Sequence, residues 1–313
     1  MARYAAGRVG QAVLVVLAAT LLLYALVYAM PGDPIAALAG ENGPKLDAAT
    51  RAKIAEQYNL DKPFIVQYLL YLKGVFAGDL GSTFAQRPVL EIIVRAFPVT
   101  FRLAVLTVII QTVVGVTVGV IAGRRRDGAL DGAVTTVTMV LIGVPTFVSA
   151  YVIQYFFGVK LGWVKPTVSA QATWGELVLP AAVLALGSLA FLIRFTRSGV
   201  SENLGAEHVR FAQARGLSEW QVNVSHVLRN ALIPIVTVVG TEFGALLGGA
   251  IITEAVFNIP GYGQQVYQNI IRGASAPTVS LVTVLVVVFV TVNLLVDLAY
   301  AALNPKVRYA AAT

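Results

Sequence analysis

Six apolar stretches recur along the chain, at 9–28, 99–122, 133–157, 177–195, 231–256 and 279–303. Each is about as long as the ~20 residues a helix needs to cross a hydrocarbon core of about 30 Å. Uninterrupted apolarity of that length predicts transmembrane helices rather than the one-sided helices of a soluble fold. Pro180 and Gly187 interrupt the fourth stretch, and Pro145 lies inside the third. A bilayer tolerates proline when neighbouring groups satisfy the freed carbonyl, so the third is expected as one span. The predicted fold class is an all-α, polytopic membrane protein with six transmembrane helices.

Two polar stretches separate these spans, and they differ in character. In 31–97, residues 47–58 carry a helical polar pattern, and the segment Phe64–Phe76 is apolar and aromatic, with Gln67 and Lys73 spaced along it. Thirteen residues are too few to span, so a re-entrant or interfacial amphipathic helix is expected there. Gly78-Asp79-Leu80-Gly81-Ser82 then forms a tight turn. This region is either a structured cap over the first spans or a docking face for an outside partner. The second stretch, 198–230, carries Glu202, Glu207, Arg210, Arg215, Glu219 and Arg229. Apolar or small residues at Leu204, Val209, Phe211, Ala212, Ala214 and Leu217 predict short helices broken at Gly216. Such a helix–turn–helix has a shape that can seat in a groove on another protein; the alternative is a solvated loop with charged faces.

Composition and charge sharpen this picture. The 313 residues are 57% apolar and 12% charged, about half the charged fraction of a soluble domain. Zero cysteines exclude disulfides, thiolate metal sites and cysteine nucleophiles. Only two histidines occur, His208 and His226, which excludes a histidine-rich metal or haem site. With the N-terminus inside, the inner segments hold twelve basic residues against five acidic, and the outer ones ten against eight. Most of the outer basics lie in 31–97, a stretch long enough to escape the positive-inside rule. Both termini are therefore expected in the cytoplasm. The net charge of +7 is explained by orientation, which leaves no reason to expect nucleic acid as a partner. The first apolar run exceeds the 7–15 residues of a signal-peptide core, and Pro31-Gly32-Asp33-Pro34 follows it without a small-residue cleavage site. It is expected to persist as a signal anchor. The chain thus divides into 1–97, an anchor span with its extracytoplasmic stretch, and 98–313, a five-span core with the inner loop at about 198–230.

Within the spans, Gly115, Gly119 and Gly123 repeat every fourth residue, as do Gly240, Gly244 and Gly248. Such strips let helix backbones approach closely. Three carboxylates fall inside predicted spans: Glu242, Glu254 and Asp297. An intramembrane acid costs about 2.5–3.5 kcal/mol on insertion scales and marks a functional candidate. Glu254, near the end of its span, is expected to be capped or paired, with Arg272 or Arg102. Glu242, together with Gln111, Gln154 and Asn293, is the best candidate lining for a translocation pathway. The chain contains no G-x-x-x-x-G-K-[ST] phosphate cradle, no G-x-S-x-G and no H-E-x-x-H. No catalytic, cofactor or metal-binding residue is assigned, and the chain is not expected to be an enzyme.

The inner loop carries a resemblance. The run His208-Val209-Arg210-Phe211-Ala212-Gln213-Ala214-Arg215-Gly216-Leu217-Ser218, followed by Leu228-Arg229-Asn230-Ala231-Leu232-Ile233-Pro234, resembles the EAA loop of bacterial ABC-importer permeases. The dipeptide/oligopeptide/nickel group is the most similar. The leading acid-alanine-alanine of that motif is not intact, since Phe211-Ala212-Gln213-Ala214 precedes Arg215-Gly216. Further segments resemble the B-type subunit of that group: Pro31-Gly32-Asp33-Pro34; Leu60-Asp61-Lys62-Pro63; Gly78-Asp79-Leu80-Gly81; Thr253-Glu254-Ala255-Val256-Phe257 with Pro260-Gly261-Tyr262-Gly263; and the closing stretch 293–305.

The resemblance implies a type I ABC importer permease fold in the bacterial inner membrane, moving di- or oligopeptides by alternating access. It implies as partners a second homologous (C-type) permease, two ATPase subunits that bind ATP and Mg, and an extracytoplasmic solute-binding protein. It also implies that the loop contains the coupling helix, with Gly216 as the motif glycine and Glu207, His208, Arg210, Phe211, Ala212, Ala214, Arg215 and Leu217 around it. The rival reading of the residues is a proton-coupled secondary transporter or channel relaying through Glu242, Glu254 and Asp297. That class should show inverted repeats, and no such repeat is visible in the sequence.

Overall fold

The computed structural model describes residues 2–28, 47–57, 59, 61–83, 87–272 and 274–303. The motif at 31–34, Leu60, and Asn304-Pro305 with Lys306 and Arg308 lie outside the described residues. Among the described residues there is no strand, only an isolated bridge between Ser82 and Pro88. Twelve helices carry the argument: α1 (Ala2–Tyr28), α2 (Ala48–Gln57), α3 (Phe64–Phe76), α4 (Val89–Arg124), α5 (Ala129–Gly143), α6 (Thr146–Ile153), α7 (Trp174–Leu204), α8 (Glu207–Ala214), α9 (Arg229–Gly249), α10 (Ile251–Val256), α11 (Tyr262–Ile271) and α12 (Ser275–Leu303).

Four of these, α1, α4, α7 and α12, are long and apolar enough to cross a membrane unaided. Among the described residues two bent pairs, Ala129–Gly143 with Thr146–Lys160 and Glu219–Leu232 with Pro234–Gly248, raise the number of spans to six if each pair crosses as one. The third span is therefore not the single helix expected, because its halves meet at 99°. Pro145 is the cause. Val144, the residue before it, is pushed into extended backbone (φ −93°, ψ 120°). The Pro145 carbonyl then starts a new helix by accepting from Val148 N at 2.9 Å and Ser149 N at 3.2 Å. The fifth span is corrected in the same way. It stops at Gly249, and residues 251–256, expected to complete it, form the separate helix α10. By contrast α7 runs unbroken through Pro180 and Gly187 for 31 residues.

The core is the α4–α7 pair, where Gly115, Gly119 and Gly123 face Leu192, Thr196 and Val200 in turn. A Cβ on Gly119 would lie 2.6 Å from Thr196 Cβ and 2.7 Å from the Ile193 carbonyl oxygen, so only glycine permits this approach. The second strip works the same way between α9 and α12, with Gly240 against Val296 and Gly244 against Val292 and Asn293. Both strips are thus occupied within the chain. The boundary at 97/98 falls inside α4, and α1 packs along α12, with Arg8 Nη1 3.2 Å from Asp297 Oδ2.

Candidate functional site

The loop between α7 and α9 is built on a small apolar core of its own. Val209 and Ala212, one turn apart on α8, pack with Val200, Val222, Val227 and Ala231. That register turns Glu207, His208, Arg210, Phe211, Ala214 and Arg215 outward. At the end of α8, Arg215 N donates to Phe211 O and Gly216 N to Gln213 O. Gly216 itself adopts φ +77°, a left-handed conformation that glycine enters at no steric cost. The chain then restarts on Ser218. Its hydroxyl accepts from Gln221 N at 3.3 Å, and Gln221 Oε1 accepts from Ser218 N at 3.1 Å, a reciprocal cap. Asn230 Nδ2 donates to the His226 carbonyl at 2.9 Å and stands 3.1 Å from His208 Nε2, tying α8 to the foot of α9.

This geometry leaves three apolar side chains standing out of an otherwise charged tip. Phe211 is 66% exposed, Leu217 37% and Trp220 76%. The Arg215 guanidinium sits 6.0 Å from the Phe211 ring centroid, a cation–π distance. Trp220 was not among the expected site residues. A tryptophan in a strongly polar segment is the signal that marks it, since the indole has no core position in that register.

At the same end of the molecule, Arg197 grips Asp131 with two hydrogen bonds. Its Nε donates to Oδ1, and Nη2 donates to Oδ2 at 2.6 Å. Asp127 N donates to the same Asp131 Oδ2 at 3.0 Å. The turn between α4 and α5 is thereby clamped to α7 about two turns before the loop.

The polar residues of the expected pathway separate into two groups. Glu254 is fully buried and pairs with neither Arg272 nor Arg102, correcting that expectation. Its Oε1 accepts from Thr100 Oγ1 at 2.6 Å and its Oε2 from Gln264 N at 2.8 Å, while Thr100 Oγ1 accepts from Tyr262 N at 2.7 Å. The reason is the break at Ala250, which folds α10 and α11 back so that amides rather than cations reach the carboxylate. Gly261 and Gly263 lie against it. Arg102 instead lies over the Trp174 ring, 6.0 Å from its centroid. Gln154 Nε2 donates to the Pro166 and Val256 carbonyls, and Gln111 accepts from Ser188 Oγ at 2.5 Å. Asp297 is held by Arg8. Glu242 on α9 and Asn293 on α12 remain half-buried, Asn293 Nδ2 donating to the Phe289 carbonyl.

Residues 115–309 match the family described as binding-protein-dependent transport system inner membrane component. Residues 1–104 match its N-terminal companion family. The chain is 35% identical to a probable peptide ABC transporter permease protein y4tP of Sinorhizobium fredii, across 92% of this chain and 94% of that protein. It is 36% identical to the glutathione transport system permease protein GsiC of Salmonella typhimurium, across 92% and 93%. With the dipeptide transport system permease protein DppB of Escherichia coli K12 it shares 34% identity across 99% of each chain.

Proposed function

The chain belongs to the family of binding-protein-dependent transport system inner membrane components, multi-pass permeases of ABC importers, and from that premise we propose that it imports di- or oligopeptides. It pairs in the membrane with a second homologous permease. Two ATPase subunits lie beneath the pair and bind ATP and Mg, and a solute-binding protein delivers cargo from outside. Both termini face the cytoplasm, a reading the basic excess of the inner segments supports. The peptide and glutathione relatives support peptide-like cargo.

The observation that carries the coupling role is the tip of the inner loop. Phe211, Leu217 and Trp220 are exposed on a loop that also exposes Glu207, Arg210 and Arg215, the composition of a docking anchor with charged surroundings. Because Val209 and Ala212 bind the loop to the ends of α7 and α9, a push on the tip reaches both helices as rigid-body movement. His208, held at Asn230, keeps α8 at its angle.

Reconstitution of the complete complex in liposomes tests this. Gly216→Asp is expected to leave the chain inserted while abolishing both uptake and substrate stimulation of ATP hydrolysis. Normal stimulation in that variant would overturn the coupling role. A proton relay through the three carboxylates is not favoured. Asp297 pairs with Arg8, and Glu254 is closed off by Thr100 and Gln264.

A further inference from the structure

Helix α3 is 13 residues long, about 20 Å at 1.5 Å per residue, too short to cross a bilayer. Its position beside two spanning helices can be measured against their apolar stretches, 9–28 in α1 and 279–303 in α12. The Tyr24 ring of α1 contacts three rings of α3, with centroids 5.8 Å from Phe64, 5.8 Å from Tyr68 and 5.2 Å from Tyr71. Tyr24 lies four residues inside the end of its apolar stretch, about 6 Å deep by the helix rise. Tyr68 reaches further: its hydroxyl donates to the Leu17 carbonyl at 3.0 Å and stands 2.9 Å from Thr20 Oγ1. Thr20 is eight residues in, about 12 Å. From the other side, Tyr71 OH donates to Thr283 Oγ1 at 2.7 Å, four residues inside the apolar stretch of α12 and so about 6 Å down. Both helices thus place the tyrosine side chains of α3 inside the apolar stretches, about 6–12 Å from their ends.

The face of α3 turned away from α1 and α12 is apolar. Ile65, Val66 and Leu69 are exposed, and Phe76 is 83% exposed. Lys73 lies within this stripe and is exposed, a long side chain able to carry its charge to the headgroups, while Lys62 before the helix donates to Asn59 Oδ1 at 2.6 Å. The helix ends cleanly. Gly78, at φ +80°, lets Asp79 N bond Gly74 O at 2.9 Å and Gly78 N bond Val75 O at 3.1 Å, satisfying its last carbonyls.

We propose that α3 is a membrane-inserted helix whose stripe of Ile65, Val66, Leu69 and Phe76 contacts lipid acyl chains in the leaflet at the C-terminal end of α1. A depth of about 6–12 Å fits the 5–10 Å burial of helices lying in the interface, and it removes the stripe from reach of a water-soluble partner. The proposal requires only that α1 and α12 span the bilayer, so it stands or falls separately from the transport reading.

The chain has no cysteine, so single labels can be placed without background. Nitroxides at Ile65→Cys, Val66→Cys, Leu69→Cys and Phe76→Cys, all exposed positions, are measured by EPR in lipid nanodiscs, with the chain alone and in its co-expressed complex. Leu14→Cys is the hydrocarbon reference and Glu56→Cys the aqueous one. Collision with oxygen is expected to exceed collision with a water-soluble nickel chelate several-fold at all four sites, with ratios between the two references and nearer Leu14. A ratio equal to that at Glu56 would overturn the proposal in favour of a water-facing surface. Suppression of both collision rates in the complex would overturn it in favour of a covering protein.

Discussion

The Glu254 node makes the most demanding prediction, because its strength follows from counted bonds. Glu254 accepts from Thr100 Oγ1 and Gln264 N, and Thr100 passes the link on to Tyr262 N. A hydrogen bond to a charged acceptor contributes about 1.5–3 kcal/mol. Glu254→Ala removes both bonds, leaves a hydroxyl and a buried amide without acceptors, and opens a cavity. The expected loss is about 3–5 kcal/mol. Glu254→Gln keeps the volume but turns an amide donor toward one of the two donors, for an expected loss of about 1.5–3 kcal/mol. At about 2–4 °C per kcal/mol, the melting temperature in detergent should fall by roughly 6–20 °C for alanine and by less for glutamine. Thr100→Val tests the same link from the other side. In the double variant Thr100→Val/Glu254→Gln, a coupling of about 0.5–3 kcal/mol is expected for residues sharing one network. An unchanged melting temperature for Glu254→Ala, or strict additivity in the double variant, would show that the fold-back of α10 and α11 does not rest on this carboxylate.

Phe211→Ala and Trp220→Ala should each weaken binding of the ATPase subunits about tenfold, since burying a mostly exposed aromatic contributes roughly 1–2 kcal/mol; equilibrium binding to the detergent-solubilised chain measures this, and affinities within twofold of wild type would refute it. Gly119→Ala and Gly248→Ala should differ in sign. At Gly119 the added carbon meets a carbonyl at 2.7 Å, whereas at Gly248 its nearest neighbour is Phe289 Cδ2 at 3.7 Å. The first should cost about 1–3 kcal/mol and the second should be neutral or gain up to about 1 kcal/mol in helix propensity, both read by thermal unfolding. Gly216→Val, which places a branched side chain at φ +77°, should likewise abolish uptake and substrate stimulation in reconstituted liposomes, and wild-type stimulation in that variant would refute it.

Much of the architecture is local in origin and therefore legible along the chain. Six apolar runs, the break at Gly216, and two four-residue glycine periods each express a property of neighbouring residues, and the helices form where those patterns lie. The amphipathic register of α8 was readable for the same reason. Val209 and Ala212 fall on one face, while Glu207, Arg210 and Arg215 fall on another. What tertiary structure alone decided involves partners distant in sequence. Pro145 permits either a kinked span or a sharp break. The tertiary structure shows the sharp break, at 99°, and the second half then carries Gln154 to the Pro166 and Val256 carbonyls. Glu254 carries no mark of its partner, because Thr100 is 154 positions away and becomes a donor to it only once α10 folds back. The same holds for α3: its composition admitted an interfacial or a re-entrant helix, and only the tyrosine contacts to Thr20, Leu17 and Thr283 set its depth. Hydrophobic periodicity selects the helices and their outward faces. The polar bonds between helices, which need two remote side chains at about 3 Å, select how those helices are joined.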